Sequence, residues 1–466
     1  MTTGQPATRI ERCAQGATEW TERWMPDAFV FALAATLTVF LAALAVDPAV
    51  RQSPLKLVDA WGVGFWTLIP FTLQMVMMIV GGYVLASSPP VFRLIERLAS
   101  WPRTGKGAVV LVALVAMSTS LLNWGFSLIV GAVLAREVAR RVPTADYRAL
   151  GASSFLGLGT VWAQGLSGSA ALQMARASSM PPRLAQLVGE IPLTSTIFRW
   201  QSLVCVVVEM AVVSVAVWLY APGEQRARPA SALGIDLGVG KPAPLPRPAV
   251  PGEWLEHSPI LLLPIVVLGF VFLIRAVGAH ASSVSEALNA LDFNNINLFL
   301  LMLGALLHWT PASLMRAVRE ATPATWGVLL QFPFYAGIFG IMTATRLSEA
   351  IAGLFIRAST ATLYPAMILT YSGVLGMFVP SGGAKWMIEA PYVLQSAHVL
   401  GVSAGWMVIT YNLGEAIANL LQPFWMLPIL AILGLRARDI MGYTYLIALV
   451  LFPTALLLVT LLRPAL

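Results

Sequence analysis

The sequence predicts an all-α polytopic membrane protein with about nine transmembrane helices and two re-entrant hairpins in two inverted repeats. Three observations carry that prediction. First, 58% of the 466 residues are hydrophobic and 11% are charged, with a mean hydropathy of +0.77; soluble domains carry about 25% charged residues. So few charges cannot clothe a water-facing surface of this size, which excludes a large soluble enzyme and equally a disordered or fibrous chain. Second, the apolar residues come in long unbroken runs, whereas the strands of a transmembrane barrel are short and alternating. Third, two of those runs are interrupted midway by helix-breaking residues, and the spans that follow them are interrupted too.

Residues 1–26 read as a cytoplasmic tail. Arg9, Glu11, Arg12, Glu19, Glu22 and Arg23 mix both signs, without the apolar core and small-residue cleavage site of a secretory signal. The span at 27–47 therefore acts as its own insertion signal, and 63–87 crosses back. The next run, 107–135, is too long for one crossing. As a single helix its 29 residues would extend about 43 Å, against a hydrocarbon core of about 30 Å. Split at Asn123-Trp124-Gly125, neither arm reaches across. Arg93, Arg97, Arg103 and Lys106 precede it, and Arg136, Arg140, Arg141 and Arg148 follow it. Cytoplasmic loops gather such cations, so both ends face one side and the run is a re-entrant hairpin, with one long tilted helix as the alternative.

A span at 149–172 follows, broken at Gly165-Leu166-Ser167-Gly168-Ser169, and 197–220 closes the first repeat, 27–220. The stretch 221–256 holds seven prolines between Pro222 and Pro251, with Arg226, Arg228, Lys241 and Arg247, a composition suited to a cytoplasmic linker. A connecting span at 257–278 carries the chain across, so the second repeat, 291–462, runs upside down. It has spans at 291–309 and 324–345, then a hairpin at 361–400 broken at Val379-Pro380-Ser381-Gly382-Gly383, where proline removes a donor and glycine loosens the helix. A span at 405–430, interrupted at Pro423, and a last span at 441–462 complete it. With the amino terminus inside, most cations fall in cytoplasmic segments, although Arg316 and Arg319 alone support their loop.

The net charge of +7 comes from 29 Lys and Arg against 22 acids. These cations stand mostly between apolar runs, where they orient the chain in a lipid bilayer, so no nucleic-acid partner is expected. Cys13 and Cys205 show neither metal spacing nor a disulfide framework, and His257, His280, His308 and His398 are scattered near span ends. There is no P-loop and no HExxH pair. Gly165-x-Ser167-x-Ser169 lacks the preceding strand of a hydrolase elbow. Neither an enzyme nor a cofactor is expected.

The informative polar groups sit at the breaks. A helix amino terminus exposes unpaired N–H groups and the positive end of a dipole, a ready seat for a small anion. Paired broken segments point to a transporter's binding site. Helix starts near Gly125 and Gly382 approach from opposite sides. Asn123, Ser381 and the Ser167 to Ser169 hydroxyls complete a carboxylate cradle, and unwound carbonyls nearby hold a cation. The alternative is that these residues only satisfy the broken backbone. Lys385 and Glu389 share one helix face at i and i+4, either as a neutralised pair that eases insertion or as an anion-attracting lysine tuned by its neighbour. Glu415, Asn419 and Gln422 form a polar stripe with Tyr411 one turn earlier. Glu415 carries a proton or coordinates a cation, or the stripe is structural. Glu209 stands alone in an apolar run with no assigned role. Trp61, Trp66, Trp101 and Trp254 fit an interfacial belt; Trp124, Trp386 and Trp425 adjoin the breaks, lining an apolar pocket or packing a core.

At these residues the chain resembles the bacterial short-chain fatty acid transporter family, the AtoE-like carriers. The matching segments are Asn123-Trp124-Gly125-Phe126 running into Ala135-Arg136-Glu137-Val138-Ala139-Arg140-Arg141-Val142-Pro143, Ser167-Gly168-Ser169, Gln331-Phe332-Pro333-Phe334-Tyr335-Ala336-Gly337 and Val379-Pro380-Ser381-Gly382-Gly383. Gly414-Glu415 with Asn419, Gln422-Pro423-Phe424-Trp425 and Arg438-Asp439-Ile440-Met441-Gly442-Tyr443 follow. The resemblance covers about residues 20 to 460, apart from the Pro-rich linker. It implies uptake of short-chain fatty acids such as acetoacetate or butyrate across the bacterial inner membrane. It also implies the fold of the wider ion-transporter superfamily, usually a homodimer moving by an elevator motion. Where the family generally carries Gln or His followed four residues later by Gln, this chain has Lys385 and Glu389, so the coupling ion, H⁺ or Na⁺, stays open.

The expected function is therefore cation-coupled symport of small monocarboxylates. Substrate is assigned to Asn123, Gly125, Ser167, Gly168, Ser169, Ser381, Gly382, Gly383, Lys385, Asn419 and Gln422. Coupling is assigned to Glu415 and Glu389, with Na⁺, where used, at the helix breaks. A carrier of another organic anion, a passive anion channel and a membrane-embedded enzyme are the alternatives.

Overall fold

The computed structural model describes residues 23, 28–180, 182–238, 245–278, 283–377 and 379–464. Most of the amino-terminal tail with Cys13, together with Lys241 and His280, lies outside the described residues. Among those described, every regular element is a helix. Five are long and apolar enough to cross a bilayer: Phe29–Val46, Leu55–Ala86, Trp200–Tyr220, Trp326–Ala344 and Ala437–Leu461. The pair Ala404–Asn419 and Phe424–Leu433, bent by 71°, is long and apolar enough only when taken together, as a broken span or a re-entrant loop.

Helix α1 (Ala28–Val46) is apolar all round and leaves Leu37 and Leu41 exposed, as a helix facing lipid does. Helices α2 (Leu55–Phe65) and α3 (Ile69–Ala86) make one crossing with a short break, and Pro70 sits in the first turn of α3, where its missing N–H costs no bond. This crossing starts earlier than the apolar run at 63–87 because Leu57 is buried despite the neighbouring Lys56 and Asp59. Amphipathic α4 (Pro89–Leu98) follows.

Helices α5 (Gly105–Ser120) and α6 (Trp124–Arg141) form a tight hairpin about a three-residue turn. Near its tip Ser127 Oγ donates to Ala116 O at 2.7 Å. At its base a Cβ on Gly105 would stand 2.7 Å from Thr144 O, so both ends emerge together. The 16 and 18 residues of its arms extend about 24 and 27 Å. Helix α7 (Tyr147–Gly159) then gives way to irregular chain before α8 (Ser169–Met174). The break opens at Thr160, ahead of the glycine–serine run. Helix α9 (Trp200–Tyr220) completes this half.

Part of the Pro-rich stretch is docked rather than free. Arg228 donates its backbone N–H to Asp146 Oδ2 at 3.0 Å and accepts from Tyr147 N at 2.9 Å. Leu237 O accepts from Arg136 Nη2 at 2.7 Å and from Arg140. A short helix, Pro251–Glu256, ends the stretch.

The second half comprises α10 (Leu262–Gly278), α11 (Phe293–His308), amphipathic α12 (Pro311–Ala321), α13 (Trp326–Ala344) and amphipathic α14 (Leu347–Ala358). A second hairpin is built from α15 (Tyr364–Gly376) and α16 (Gly382–Leu400), where Tyr364 Oη donates to Val393 O at 2.8 Å. Helix α17 (Ala404–Asn419), the break before α18 (Leu427–Leu433) and α19 (Ala437–Leu461) close the chain. One series occurs twice, from α3 to α9 and from α13 to α19: long helix, amphipathic helix, hairpin, broken helix, long helix.

Helices α1 and α2 pack on α13, α11 and α12 pack on α3, and α10 packs on α11. Helices α2 and α13 approach so closely that a Cβ on Gly64 would lie 2.7 Å from Gly340 Cα. The hairpins, broken helices, α9 and α19 form a second group. The seam between the groups positions the site.

Candidate transport site

Both hairpin tips, the break after α7 and the carboxy-terminal end of α17 converge on a narrow hollow. One wall is Trp124 of the first tip, Leu158 and Trp162, Ser169, Ser381 to Gly383 of the second tip, Glu415, Asn419 and Trp425; the facing wall is Met75 of α3 with Val328 and Phe332 of α13. The hollow thus lies in the seam.

The two tips differ in how their helix starts are satisfied. At the first, Asn123 Oδ1 accepts from Phe126 N at 2.7 Å and Ser167 Oγ accepts from Trp124 N at 3.0 Å. Asn123 Nδ2 also donates to Met78 O at 3.2 Å, tying the tip to α3. At the second, Ser381 is extended and its side chain makes no cap. The first-turn N–H groups of Gly382 and Gly383 have no intrahelical partner, and both residues border the hollow. Glycine is required here by close approach: a Cβ on Gly383 would overlap Phe71 Cζ and lie 2.9 Å from Ser169 Cβ, and one on Gly382 would lie 3.1 Å from Glu415 Cγ.

Of the residues assigned to substrate, the fold brings Ser169, Ser381, Gly382, Gly383 and Asn419 to the hollow. Asn123, Gly125, Ser167 and Gly168 do not border it. Asn123 and Ser167 cap the tip, Gly125 packs against Ile79, and Gly168 starts α8. Gln422 Nε2 donates to Asn419 Oδ1 at 3.0 Å and its Oε1 accepts from Phe424 N at 2.7 Å, bracing the break after α17.

The charged groups are arranged differently from the i, i+4 reading. Lys385 pairs with Glu415 on α17, Nζ to Oε2 2.5 Å, with both side chains 1% exposed. Its ammonium also donates to Ser372 O at 2.8 Å and to Ser372 Oγ at 3.2 Å, and lies 4.9 Å from the Tyr411 ring centroid. Gly376 forms the floor: a Cβ there would stand 2.8 Å from Glu415 Oε2 and 3.2 Å from Lys385 Nζ. Glu389 is fully buried, and neither of its oxygens receives a hydrogen bond among the described residues. No cluster of three His, Cys, Asp or Glu suited to a metal occurs among them.

Glu209, unassigned by sequence, accepts from Gln164 Nε2 at 2.8 Å and so braces the break after α7 from α9. Alongside the carboxy-terminal half of α16 lies a larger, open cavity lined in part by Thr345, Glu349, Gln395 and His398.

The sequence profile described as Short chain fatty acid transporter matches residues 9–463. A protein of Escherichia coli strain K12 named "Putative short-chain fatty acid transporter" is 38% identical over 439 residues, 93% of this chain and 96% of that one. A Haemophilus influenzae protein of the same name is 33% identical over 440 residues, with 93% and 96% covered. The chain belongs to the short-chain fatty acid transporter family.

This transporter is also similar in fold to two solved membrane proteins. One is the YdaH transporter of Alcanivorax borkumensis, with a TM-score of 0.57, 15% identity and coverage of 94% of this chain and 98% of that one. The other is Neisseria gonorrhoeae MtrF, described among antimetabolite efflux pumps, with a TM-score of 0.61, 13% identity and 98% of both chains covered. In the transporter, the site residues that side-chain chemistry did not single out are apolar: Met75, Leu158, Trp162, Val328 and Phe332. Phe332 stacks on Phe71 with centroids 5.5 Å apart. The signal that reaches Phe332 is its place in the Gln331-Phe332-Pro333 segment of the family resemblance.

Proposed function

We propose that this family member carries a small monocarboxylate together with a cation across the bacterial inner membrane, amino terminus inside. The supporting observation is the uncapped start of α16 at a narrow, mostly apolar hollow. The guest's carboxylate rests on the N–H groups of Gly382 and Gly383 and on the hydroxyls of Ser169 and Ser381, since a helix start seats an anion. Its short alkyl tail lies against Met75, Trp124, Phe332 and Trp425. The narrowness of the hollow suits a chain of few carbons.

A cation must accompany the guest. Each negative charge brought into a negative-inside cell costs about 2.3 kcal/mol per 100 mV, and Glu415 on the wall is the ionisable group placed to respond. The hairpins enter from opposite sides, which makes the halves inverted repeats. The group that carries them slides along the seam in an elevator motion, and the larger cavity beside α16 is the route to one face. By the family resemblance the working unit is a homodimer.

Purified protein in proteoliposomes tests this with C2 to C6 acids under H⁺ or Na⁺ gradients. Concentrative uptake of at least one acid, with the others competing, is expected. If none of them binds or accumulates, the substrate reading fails.

A further inference from the structure

This inference rests on the monocarboxylate reading and deepens it. The wall that would face the bound anion includes a carboxylate, Glu415. Two carboxylates in so confined a space repel, and an unpaired buried charge is costly. Yet Glu415 has one counter-ion, the Lys385 ammonium 2.5 Å away, which is equally buried.

We propose that Glu415 and the substrate take turns as the partner of Lys385, so that each carboxylate enters with one proton. In the empty site the Glu415 carboxylate and the Lys385 ammonium sum to zero. On loading, a proton from outside goes to Glu415, and the ammonium shifts its pairing to the guest's carboxylate. The loaded site again sums to zero. On release, the guest leaves as an anion, the proton departs from Glu415, and the original pair re-forms. The cycle moves one proton with one anion and no net charge. The ammonium fills the oxygen cluster of Ser372 O, Ser372 Oγ and Glu415 Oε2, so a Na⁺ has no place there and the exchange runs on the proton.

The geometry permits the exchange. Lys385 lies one turn after Gly382, its ammonium is within ion-pair distance of a group on the hollow's wall, and the missing side chain of Gly376 is what lets both charged groups sit there. The other ionisable side chains acting around the pair are Glu389 on α16 and Tyr371, Tyr392 and Tyr411. Glu389 does not border the hollow. Neither of its oxygens receives a hydrogen bond among the described residues, and the exchange keeps its protonation the same in the empty and loaded site, so it leaves the balance unchanged.

The test is butyrate binding to purified protein between pH 5 and pH 8, with Na⁺ replaced by choline, alongside uptake driven by a pH gradient. Wild type is expected to lose about tenfold in affinity per pH unit once Glu415 is ionised in the empty site, to accumulate butyrate without Na⁺, and to be indifferent to membrane potential. Glu415→Gln frees Lys385 permanently: binding and exchange persist, their pH dependence vanishes, and accumulation is lost. The double variant Lys385→Met/Glu415→Gln keeps the interior neutral, retains the wild-type elution profile and binds at least tenfold more weakly than Glu415→Gln. Binding by wild type that is independent of pH or requires Na⁺ overturns the exchange alone, as does pH-dependent binding or accumulation by Glu415→Gln, or undiminished binding by the double variant. Failure of wild type to bind any C2 to C6 acid overturns the substrate reading and the exchange together.

Discussion

At Gly383 a single hydrogen in place of a methyl keeps the hollow open. A Cβ would press on Phe71 and Ser169, and such overpacking costs about 1–3 kcal/mol. Gly383→Ala should therefore lower butyrate affinity at least tenfold while the protein still folds, as binding and thermal unfolding in detergent would register together. Unchanged affinity would place the substrate elsewhere. At this scale the sequence was only half legible. The types and positions of Ser381, Gly382, Gly383, Glu415 and Asn419 were enough to nominate them, since helix breakers and ionisable groups in apolar runs stand out. Asn123 and Ser167 stood out for the same reason but are engaged in capping backbone N–H groups, and only the packed fold separates a cap from a ligand. Lys385 likewise could be placed on a helix face with Glu389, but its partner Glu415 is 30 residues away in the chain and is chosen by packing.

Among the elements, both hairpins were readable because their turns carry breakers and the first is flanked by cations at each end. The amphipathic α4, α12 and α14 were not, since Arg and Glu on their outer faces keep them out of any apolar run. The break after α7 opens sooner than its glycines suggest. Gly157 and Gly159 are pressed by Ala116 O, Ser127 Oγ and Leu420, contacts that no local pattern encodes. The first hairpin has a direct test in a background lacking Cys13 and Cys205. Cysteines placed at Lys106 and Arg141 should both label with an impermeant maleimide from the same face of inverted or right-side-out vesicles. Labelling from opposite faces would replace the hairpin with a through-going helix.

For the whole molecule, the repeated order of elements could be counted along the chain, whereas the seam could not, because it is made by contacts between α3, α13 and the hairpin tips. The corner between α1 and α13 offers a test of long-range order. Asp47 accepts from Ala49 N at 2.9 Å and from Arg346 N at 3.1 Å, and the backbone N–H groups of Arg346 and Ala49 hold its carboxyl below the usual range. A depressed folded value means the contribution is present above the unfolded value of about 4 and lost as pH falls through the folded one. Asp47→Asn should thus unfold at a lower temperature than wild type at neutral pH, with the gap closing on acidification. A gap that ignores pH would sink this assignment.

The docked linker has a mechanical consequence. Leu237 is tied to the base of the first hairpin, Pro251–Glu256 packs on α12, and thirteen residues lie between them. Fully drawn out, they reach about 45 Å at most, so under the elevator motion we propose this stretch bounds how far the first hairpin can travel from α12. Shortening it should then slow uptake while leaving butyrate affinity unchanged, and equal loss of both would count against that motion.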